Sequence, residues 1–308
     1  MPSAQAQQAH SYRTEQAERA AAGAAAVAGL IASQRPWASV LPVLASYQLA
    51  SAAAAVVTMA QWLGNDHPTI DPRTFAGVSS AGYAIAEPLI ATIDKRIPAP
   101  AAAIPDPWWQ RSDVAKFHRE IEQLVSSEIQ DAARSAAQSE MVSGSKSVTR
   151  YVRVLTPPTC KRCAVLAGKI YQDLDGFERH PGCDCVHKPF ESWEAARKAG
   201  LVVSPEDAYA QGYIRDLTAG EKRAIEDGAD INQVINSSSG ISTADQFGRR
   251  VKTTRYGATK RSLWRKRNPS ALVRLRPESI YRIVDEEHGG DRDIARQMLF
   301  SQGYILSA

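Results

Sequence analysis

The sequence contains few aromatic residues and few cysteines. Phe, Trp and Tyr together make up 7% of the 308 residues, and there are 4 cysteines. So few cysteines exclude a disulfide-rich secreted scaffold, and 19 glycines exclude a collagen-like repeat. A hydrophobic content of 44% excludes a wholly disordered acidic chain. At roughly 150 residues per domain, the length predicts about two domains.

Alanine supplies much of the hydrophobic content, because 26 of the first 100 residues are alanine. We expect no secretory signal, since Arg13, Glu15 and Arg19 precede the first apolar run. Residues 36–65 carry no charge and exceed the ~20 helical residues that cross a bilayer. Their serine, glutamine and alanine content favours a soluble, alanine-packed helix over a membrane span, so no membrane partner is expected.

The order of helix-forming and helix-breaking residues indicates how the chain is organised. Strong helix formers predict helices over residues 12–33 and 43–63, and the proline-rich residues 98–107 predict a stiff linker. From Val114 to Met141 apolar residues recur at intervals of three and four, which predicts a helix of about 28 residues capped by Ser112. Such a helix requires partner helices from the N-terminal part or a partner protein.

Shorter elements are predicted beyond this helix. Residues 152–155 have the pattern of a strand, and residues 192–199 and 205–213 that of short helices. Thr218 and Glu221 form a capping-box pattern for a helix that ends at Asp227. Residues 237–240 read as a flexible link, and two helices are predicted at 277–287 and 291–302.

All four cysteines lie within residues 160–185. Cys160 and Cys163 form a Cys-x-x-Cys pair, and His180, Cys183 and Cys185 follow in the segment His-Pro-Gly-Cys-Asp-Cys. Two such ligand groups about 20 residues apart close the tetrahedron that Zn²⁺ prefers. Because protein atoms fill every position, the pattern predicts a structural rather than a catalytic zinc.

The choice of ligands and the nature of the site have alternatives. Four thiolates are our first choice, but two cysteines one residue apart rarely both turn inward, so His180 can replace Cys183, with His187 a weaker substitute. A redox Cys-x-x-Cys, a disulfide pair and a Cys/His nucleophile are the competing interpretations. A redox pair is expected at the start of a helix in a βαβ unit, whereas Gly168 and a strand-like segment follow here.

Charge is concentrated in one segment. The net charge is +4, but residues 249–276 contain eleven basic residues and no acidic one, which leaves the rest of the chain at −7. The segment has no base-reading helix, so it predicts non-specific contact with DNA phosphates; an acidic protein partner and a solvated surface are the alternatives. The candidate residues are Arg249, Arg250, Lys252, Arg255, Lys260, Arg261, Arg265, Lys266 and Arg267, followed by Arg274 and Arg276.

Two further features of this region are ambiguous in the sequence. Tyr256 and Trp264 are interleaved with the basic residues, which predicts an irregular β-hairpin or an extended arm. The final helix pair around Gly289 and Gly290 has the outline of a helix-turn-helix. Its second helix is only modestly basic, so we expect the pair to be packing elements.

The cysteine segment resembles a known family. Residues 154–168 and 176–185 closely resemble the MuF-like minor head proteins of tailed phages, especially those of actinobacteria. Their signature, Cys-x-x-Cys-x-x-Leu-x-Gly followed by His-Pro-x-Cys-x-Cys, occurs here in order, with Leu166 at the leucine position. The similarity is specific over residues 150–236 and weaker in the flanks.

The resemblance implies a minor capsid protein that acts in head morphogenesis near the portal, without enzymatic activity. It would be assembled in the host cytoplasm and reside in the capsid interior, with the portal, other capsid or scaffold proteins and packaged DNA as partners. The alternative is an enzyme, a head-maturation protease or nuclease that acts through the Cys/His segment.

Together these features predict a mostly α fold with a small α+β zinc-stabilised module, an Ala-rich helical N-terminal part and a long connecting helix. The predicted domains are the Ala-rich helical domain 1–97, the Pro-rich linker 98–111, the long amphipathic helix 112–150, the MuF-like zinc-binding module 151–247, and the basic arm with the C-terminal helix pair 248–308.

Overall fold

The structure is a computed structural model. It describes residues 3–33, 35–79, 82–86, 89–91, 111–144, 150–167, 169–172, 185–246, 249–259 and 262–307, with the backbone alone at 111–115, 117, 172, 245, 246 and 249. This part of the chain is mostly helical and contains small antiparallel sheets. The predicted linker lies almost entirely outside the described residues.

The described helices are α1 (Ala4–Ala32), α2 (Trp37–Trp62), α3 (Arg111–Gly144), α4 (Lys161–Leu166), α5 (Trp193–Lys198), α6 (Pro205–Ala210), α7 (Ala219–Glu226), α8 (Ile231–Asn236), α9 (Leu263–Arg267), α10 (Pro277–Glu287) and α11 (Arg292–Ser301), with a 3-10 helix at Pro72–Phe75. The described strands are β1 (Arg150–Val154), β2 (Ile170–Gln172), β3 (Val186–Phe190), β4 (Ile241–Gln246), β5 (Arg249–Thr254) and β6 (Arg274–Leu275).

The chain divides into two compact units. Unit 1 comprises Met1–Thr156 and Gly168–Val202, and unit 2 comprises Pro157–Ala167 and Val203–Ala308. The predicted zinc-binding module, residues 151–247, contributes segments to both units.

In unit 1, the long helices α1, α2 and α3 pack on one another. Their common core consists mainly of small and branched side chains, among them Ala20, Ala24, Val27, Leu44, Val125 and Ile129. Helix α3 buries residues at intervals of three and four from Ile121 to Met141, as its apolar spacing predicts. The apolar face of this long helix is therefore covered by α1 and α2.

Helix α2 begins at Trp37, before the predicted start at residue 43, and it includes Pro42. Proline lacks the N–H that would bond four residues back, so helix interiors normally avoid it. Val40 and Leu44 on either side are fully buried, and their packing holds the helix across this missing bond. Helix α2 has the length and the mean hydropathy, 1.7, of a membrane-crossing helix, and part of it is buried in the bundle.

Two buried polar side chains of the bundle hold the loop between α2 and α3 by its backbone. Glu140 of α3 accepts hydrogen bonds from two consecutive loop N–H groups, the second from Ile70 at 2.8 Å. Gln48 of α2 accepts from the N–H of Gly77 at 2.8 Å and donates to the Val78 carbonyl at 2.9 Å. Both side chains are fully buried, so these bonds replace the water that their polar atoms lose on folding.

Gly23 marks a close approach between the helices. A Cβ placed on Gly23 would lie 2.5 Å from Cδ1 of Ile129 and 2.7 Å from Cγ of Tyr47. By contrast, a Cβ on Gly29, which lies in the same helix, would have no atom within 4 Å. The packing of α1 in the bundle therefore depends on the missing side chain at position 23.

We expect Gly23→Ala to lower the free energy of unfolding by up to about 2 kcal/mol, because overpacking costs ~1–3 kcal/mol and helix propensity returns only ~1 kcal/mol. The matched change Gly29→Ala has open space around it and should stabilise the protein by roughly 0.5–1 kcal/mol. Urea unfolding of both variants measures the two effects. A Gly23→Ala protein as stable as Gly29→Ala would contradict the packing described.

The sheet of unit 1 has the order β2–β1–β3, and both pairings are antiparallel. Its central strand β1 corresponds to the strand predicted at residues 152–155. Helix α5 begins with Ser192 as its N-cap and packs on β3. Val152 and Val154 of β1 share a core with Ala196 of α5 and with Leu201.

Unit 2 contains the sheet β4–β5–β6. Strands β4 and β5 pair antiparallel, but β4 lies before the basic segment, where the sequence predicts an irregular hairpin or an extended arm; of that segment only β5 and β6 are strands among the described residues. The predicted capping box of Thr218 and Glu221 is present at the start of α7, and α10 has its predicted bounds. The core of unit 2 includes Val251, Leu275, Ile280, Val284, Leu299 and Tyr304.

Candidate metal centre and basic segment

The Cys-x-x-Cys pair lies at the start of α4 in unit 2. Cys160 is the N-cap residue, and its Sγ accepts a hydrogen bond from the N–H of Cys163 at 3.3 Å. Both cysteines are buried. A hydrogen bond from a backbone N–H favours the charged thiolate form of cysteine, which is the form that binds zinc. This half of the predicted ligand set therefore fits a zinc ion.

Backbone hydrogen bonds within unit 2 fix the chain on both sides of Cys160. Before it, the Thr159 N–H donates to the Tyr213 carbonyl at 2.8 Å, and the Thr159 carbonyl accepts from the Arg215 N–H at 3.0 Å. After it, the N–H of Lys161 donates to Oδ1 of Asp216 at 2.6 Å. The conformation of the cysteine turn is thus set by residues 213–216.

The side chain of Lys161 reaches a buried carboxylate. Its Nζ lies 2.8 and 2.9 Å from the two carboxylate oxygens of Glu221, whose side chain is fully buried. Glu221 also accepts hydrogen bonds from Ser238 Oγ at 2.6 Å and from the Thr218 N–H at 2.9 Å. Nη2 of Arg276 lies 3.4 Å away.

These donors determine the charge state of Glu221. Burial alone would raise the pKa of its carboxyl group, but the hydrogen bonds from Lys161, Ser238 and Thr218 outweigh burial and hold that pKa below its ordinary value. Glu221 is therefore an ionised carboxylate inside unit 2.

Sequence reasoning missed this cluster. The capping-box pattern gave Glu221 a local role only, and Lys161 was an unassigned position between the cysteines. The serine segment 237–240 was predicted to be a flexible link, but Ser237 is fully buried and its hydroxyl donates to the Val234 carbonyl at 2.6 Å. No sequence pattern signals an ion pair between residues 60 positions apart.

Cys185 and His187 lie in unit 1, immediately before and within β3, and both are buried. The His187 ring lies 4.7 Å from the Tyr151 ring, measured between centroids. The next residue, Lys188, places its Nζ 4.0 Å from the centre of the Trp62 ring, and burial lowers the pKa of Lys188 to about 8. This strand is therefore packed closely within unit 1.

His180 and Cys183 lie outside the described residues. Within the residues that the structure describes, no group of three or more His, Cys, Asp or Glu side chains is placed to hold a metal ion. The structure thus gives the geometry of the first cysteine pair, and the complete ligand set stays a prediction from the sequence.

The position of the cysteine pair also bears on the redox interpretation. The pair begins a helix, as a redox motif does. However, β1 and β2, the strands before and after the pair in sequence, are antiparallel to each other, so the βαβ arrangement that accompanies such a motif is absent at this point. The helix start expected of a redox motif is therefore present, and the βαβ arrangement is not.

The basic segment contains both exposed and internally bonded side chains. The exposed ones within the described residues are Arg250, Lys252, Arg255 and Lys266. Arg250 and Lys252 alternate with the buried residues Val251 and Thr253 along β5, so they project from one face of the strand. Lys260 and Arg261 lie outside the described residues, and only the backbone of Arg249 is described.

Four arginines of this segment serve the fold of unit 2 itself. Arg265 donates to the Ala271 carbonyl, and Arg267 donates to the Ile305 carbonyl at 3.0 Å while its guanidinium covers the Phe300 ring. The other two, Arg274 and Arg276, are buried. The basic charge of the sequence therefore overstates the charge available to a partner.

The helix pair α10 and α11 packs within unit 2. Arg292 of α11 donates to the Asp227 carboxylate, and Arg296 donates to the Asp227 carbonyl at 3.1 Å. The Tyr281 hydroxyl of α10 donates to the same carboxylate at 2.7 Å. Ile280 of α10 and Leu299 of α11 are fully buried in the core of unit 2, in agreement with the expectation that the pair is a packing element.

Comparison of the chain with protein-family models, with curated proteins and with solved structures gives no match.

Proposed function

We propose that this chain is a MuF-like minor capsid protein, a non-enzymatic component of phage head morphogenesis that acts near the portal. The observation that carries the proposal is the Cys-x-x-Cys and His-Pro-Gly-Cys-Asp-Cys signature, in order and in one segment. The hydrogen bond from the Cys163 N–H to the Cys160 sulfur supports a metal-binding role for the first half of that signature.

The zinc site of the proposal uses Cys160, Cys163, Cys183 and Cys185, with His180 as the substitute for Cys183. A zinc ion with four protein ligands contributes folding free energy and keeps no open position for a substrate. Such a site suits a protein with 7% aromatic residues, because zinc binding adds folding free energy to that from apolar packing.

In this proposal, unit 2 contacts its partner through exposed basic side chains of residues 249–276. Arg250, Lys252, Arg255 and Lys266 are exposed and are available to DNA phosphates or to an acidic protein surface. Contacts to phosphates carry no sequence information directly, so the proposed binding to DNA is non-specific.

A salt titration of DNA binding tests this surface. Replacing Arg250, Lys252 and Arg255 by Gln should reduce the slope of log affinity against log salt by about 3, since each lost phosphate contact contributes about 0.9. The matched control replaces the exposed residues Arg35, Lys198 and Lys222 by Gln and should leave the slope unchanged. Equal slopes for the two triple variants would refute DNA binding by this surface.

Crosslinking mass spectrometry on procapsids tests the place of the protein in the head. Lys116 of α3 is exposed, and we expect it to form crosslinks to the portal. Detection of the protein only outside the particles would refute the proposal.

The enzyme alternative makes a different prediction for chelation. If metal removal leaves the fold intact and abolishes a proteolytic or nucleolytic activity, the alternative is correct. If metal removal unfolds residues 150–190 and no such activity exists, the minor capsid proposal is supported.

A further inference from the structure

We infer that Lys161 and Glu221 are positioning residues that hold the Cys160–Cys163 turn in its metal-binding shape before metal arrives. The inference rests on the proposed zinc site, and it assigns a role to a buried ion pair that the zinc ligands themselves do not explain.

Both the backbone N–H and the side-chain ammonium group of Lys161 have carboxylate partners. Its backbone N–H donates to Asp216 at 2.6 Å, and its ammonium group lies 2.8 Å from the nearer carboxylate oxygen of Glu221. Because Lys161 directly follows Cys160 and begins α4, fixing Lys161 fixes the start of the turn that joins the two cysteines.

The carboxylate that holds Lys161 is itself held firmly. Glu221 is fully buried and receives hydrogen bonds from a hydroxyl, Ser238, and from a backbone N–H, that of Thr218. Arg276 adds a second positive charge and lies 3.0 Å from Glu278, so two cations and two carboxylates balance in one cluster of unit 2. A buried carboxylate with this many donors has little freedom to move.

A turn that is already formed binds metal more tightly than one that must first be ordered, because ordering a backbone costs conformational entropy. Groups that orient metal ligands without touching the metal typically contribute 10–100-fold to metal affinity. The ion pair between Lys161 and Glu221 meets this description, since it acts on the backbone of the turn.

The test measures zinc affinity by competition with a chelating dye, on the full chain. We expect Glu221→Gln and Lys161→Met to weaken zinc binding by about tenfold. We expect Lys161→Arg, which keeps the ion pair, to restore affinity to within about threefold of wild type. In the metal-free protein, the amide hydrogen of Cys163 should exchange faster in Glu221→Gln, because the turn is no longer fixed.

The control for a general loss of stability is Tyr281→Phe. It removes another buried hydrogen bond of unit 2, that to Asp227, which lies at the opposite end of α7 from Glu221. We expect Tyr281→Phe to destabilise the protein to urea without changing its zinc affinity by more than about twofold.

The outcomes separate this inference from the proposed function. If wild-type protein binds no zinc, the zinc site of the proposed function fails and the inference fails with it. If wild-type protein binds zinc and Glu221→Gln binds it equally tightly, the zinc site stands and the inference is overturned. If Lys161→Met does not fold, the zinc affinities of Glu221→Gln and Tyr281→Phe still test the inference.

Discussion

Protein that carries Cys163→Ser is expected to be purified almost free of zinc, whereas the wild type retains about one equivalent. The substitution replaces a thiolate by a hydroxyl that does not ionise at neutral pH. Structural zinc sites contribute an apparent ~10–16 kcal/mol at pH 7, so the loss of one ligand in four should also unfold the cysteine segment. Metal analysis of the purified proteins and thiol titration measure the effect.

Two further variants identify the ligands. If four thiolates bind the ion, Cys183→Ser loses zinc and His180→Ala keeps it; the reverse result assigns the position to His180. A wild-type protein with less than about half an equivalent of zinc and four freely titrating thiols would refute the site altogether.

Arg274→Ala is expected to lower the free energy of unfolding of unit 2 by about 1–3 kcal/mol, because truncation leaves buried neutral acceptors without their donor. Arg274 is 1% exposed, and its Nε donates to the Gln302 carbonyl at 2.9 Å. It also donates to Oε1 of Gln233 at 3.1 Å and covers the Tyr304 ring at 4.2 Å. Burial lowers the pKa of Arg274, and truncation would leave its acceptors without a donor.

The matched control for Arg274→Ala is Arg255→Ala, in the same basic segment. Arg255 is exposed, so its loss should change stability by less than about 0.5 kcal/mol. Urea unfolding compares the two. Similar losses for both variants would mean that the basic segment acts as one unit, in contradiction to the division into exposed and internal arginines.

Local patterns in the sequence predicted local structure well. The apolar spacing of α3 predicted its buried face, the Thr218–Glu221 pattern predicted the capping box, and the proline at residue 277 marked the start of α10. Each of these features depends on residues within a few positions of one another. The helix at residues 12–33 was predicted too short, because α1 extends back to Ala4 behind a Ser3 N-cap.

Long-range contacts could not be predicted in the same way. The eleven basic residues have the same appearance in the sequence, but only the fold separates the buried Arg274 from the exposed Arg255. Likewise, nothing near Lys161 in the sequence indicates that its ammonium group meets Glu221. Candidate zinc ligands could be proposed from the sequence because they are close along the chain, whereas Lys161 and Glu221 are 60 positions apart.

The hydrogen bonds that hold the loop between α2 and α3 by its backbone affect which of its residues can vary. Glu140 and Gln48 bind backbone N–H and carbonyl groups of the loop. Every residue has a backbone carbonyl, and every residue except proline has a backbone N–H. Side chains at the exposed positions of the loop can therefore vary while its path is kept, whereas Ile70 packs against the core and Gly77 has a positive φ of 74°. Sequence variation should concentrate at those exposed positions, and Glu140 and Gln48 should change least.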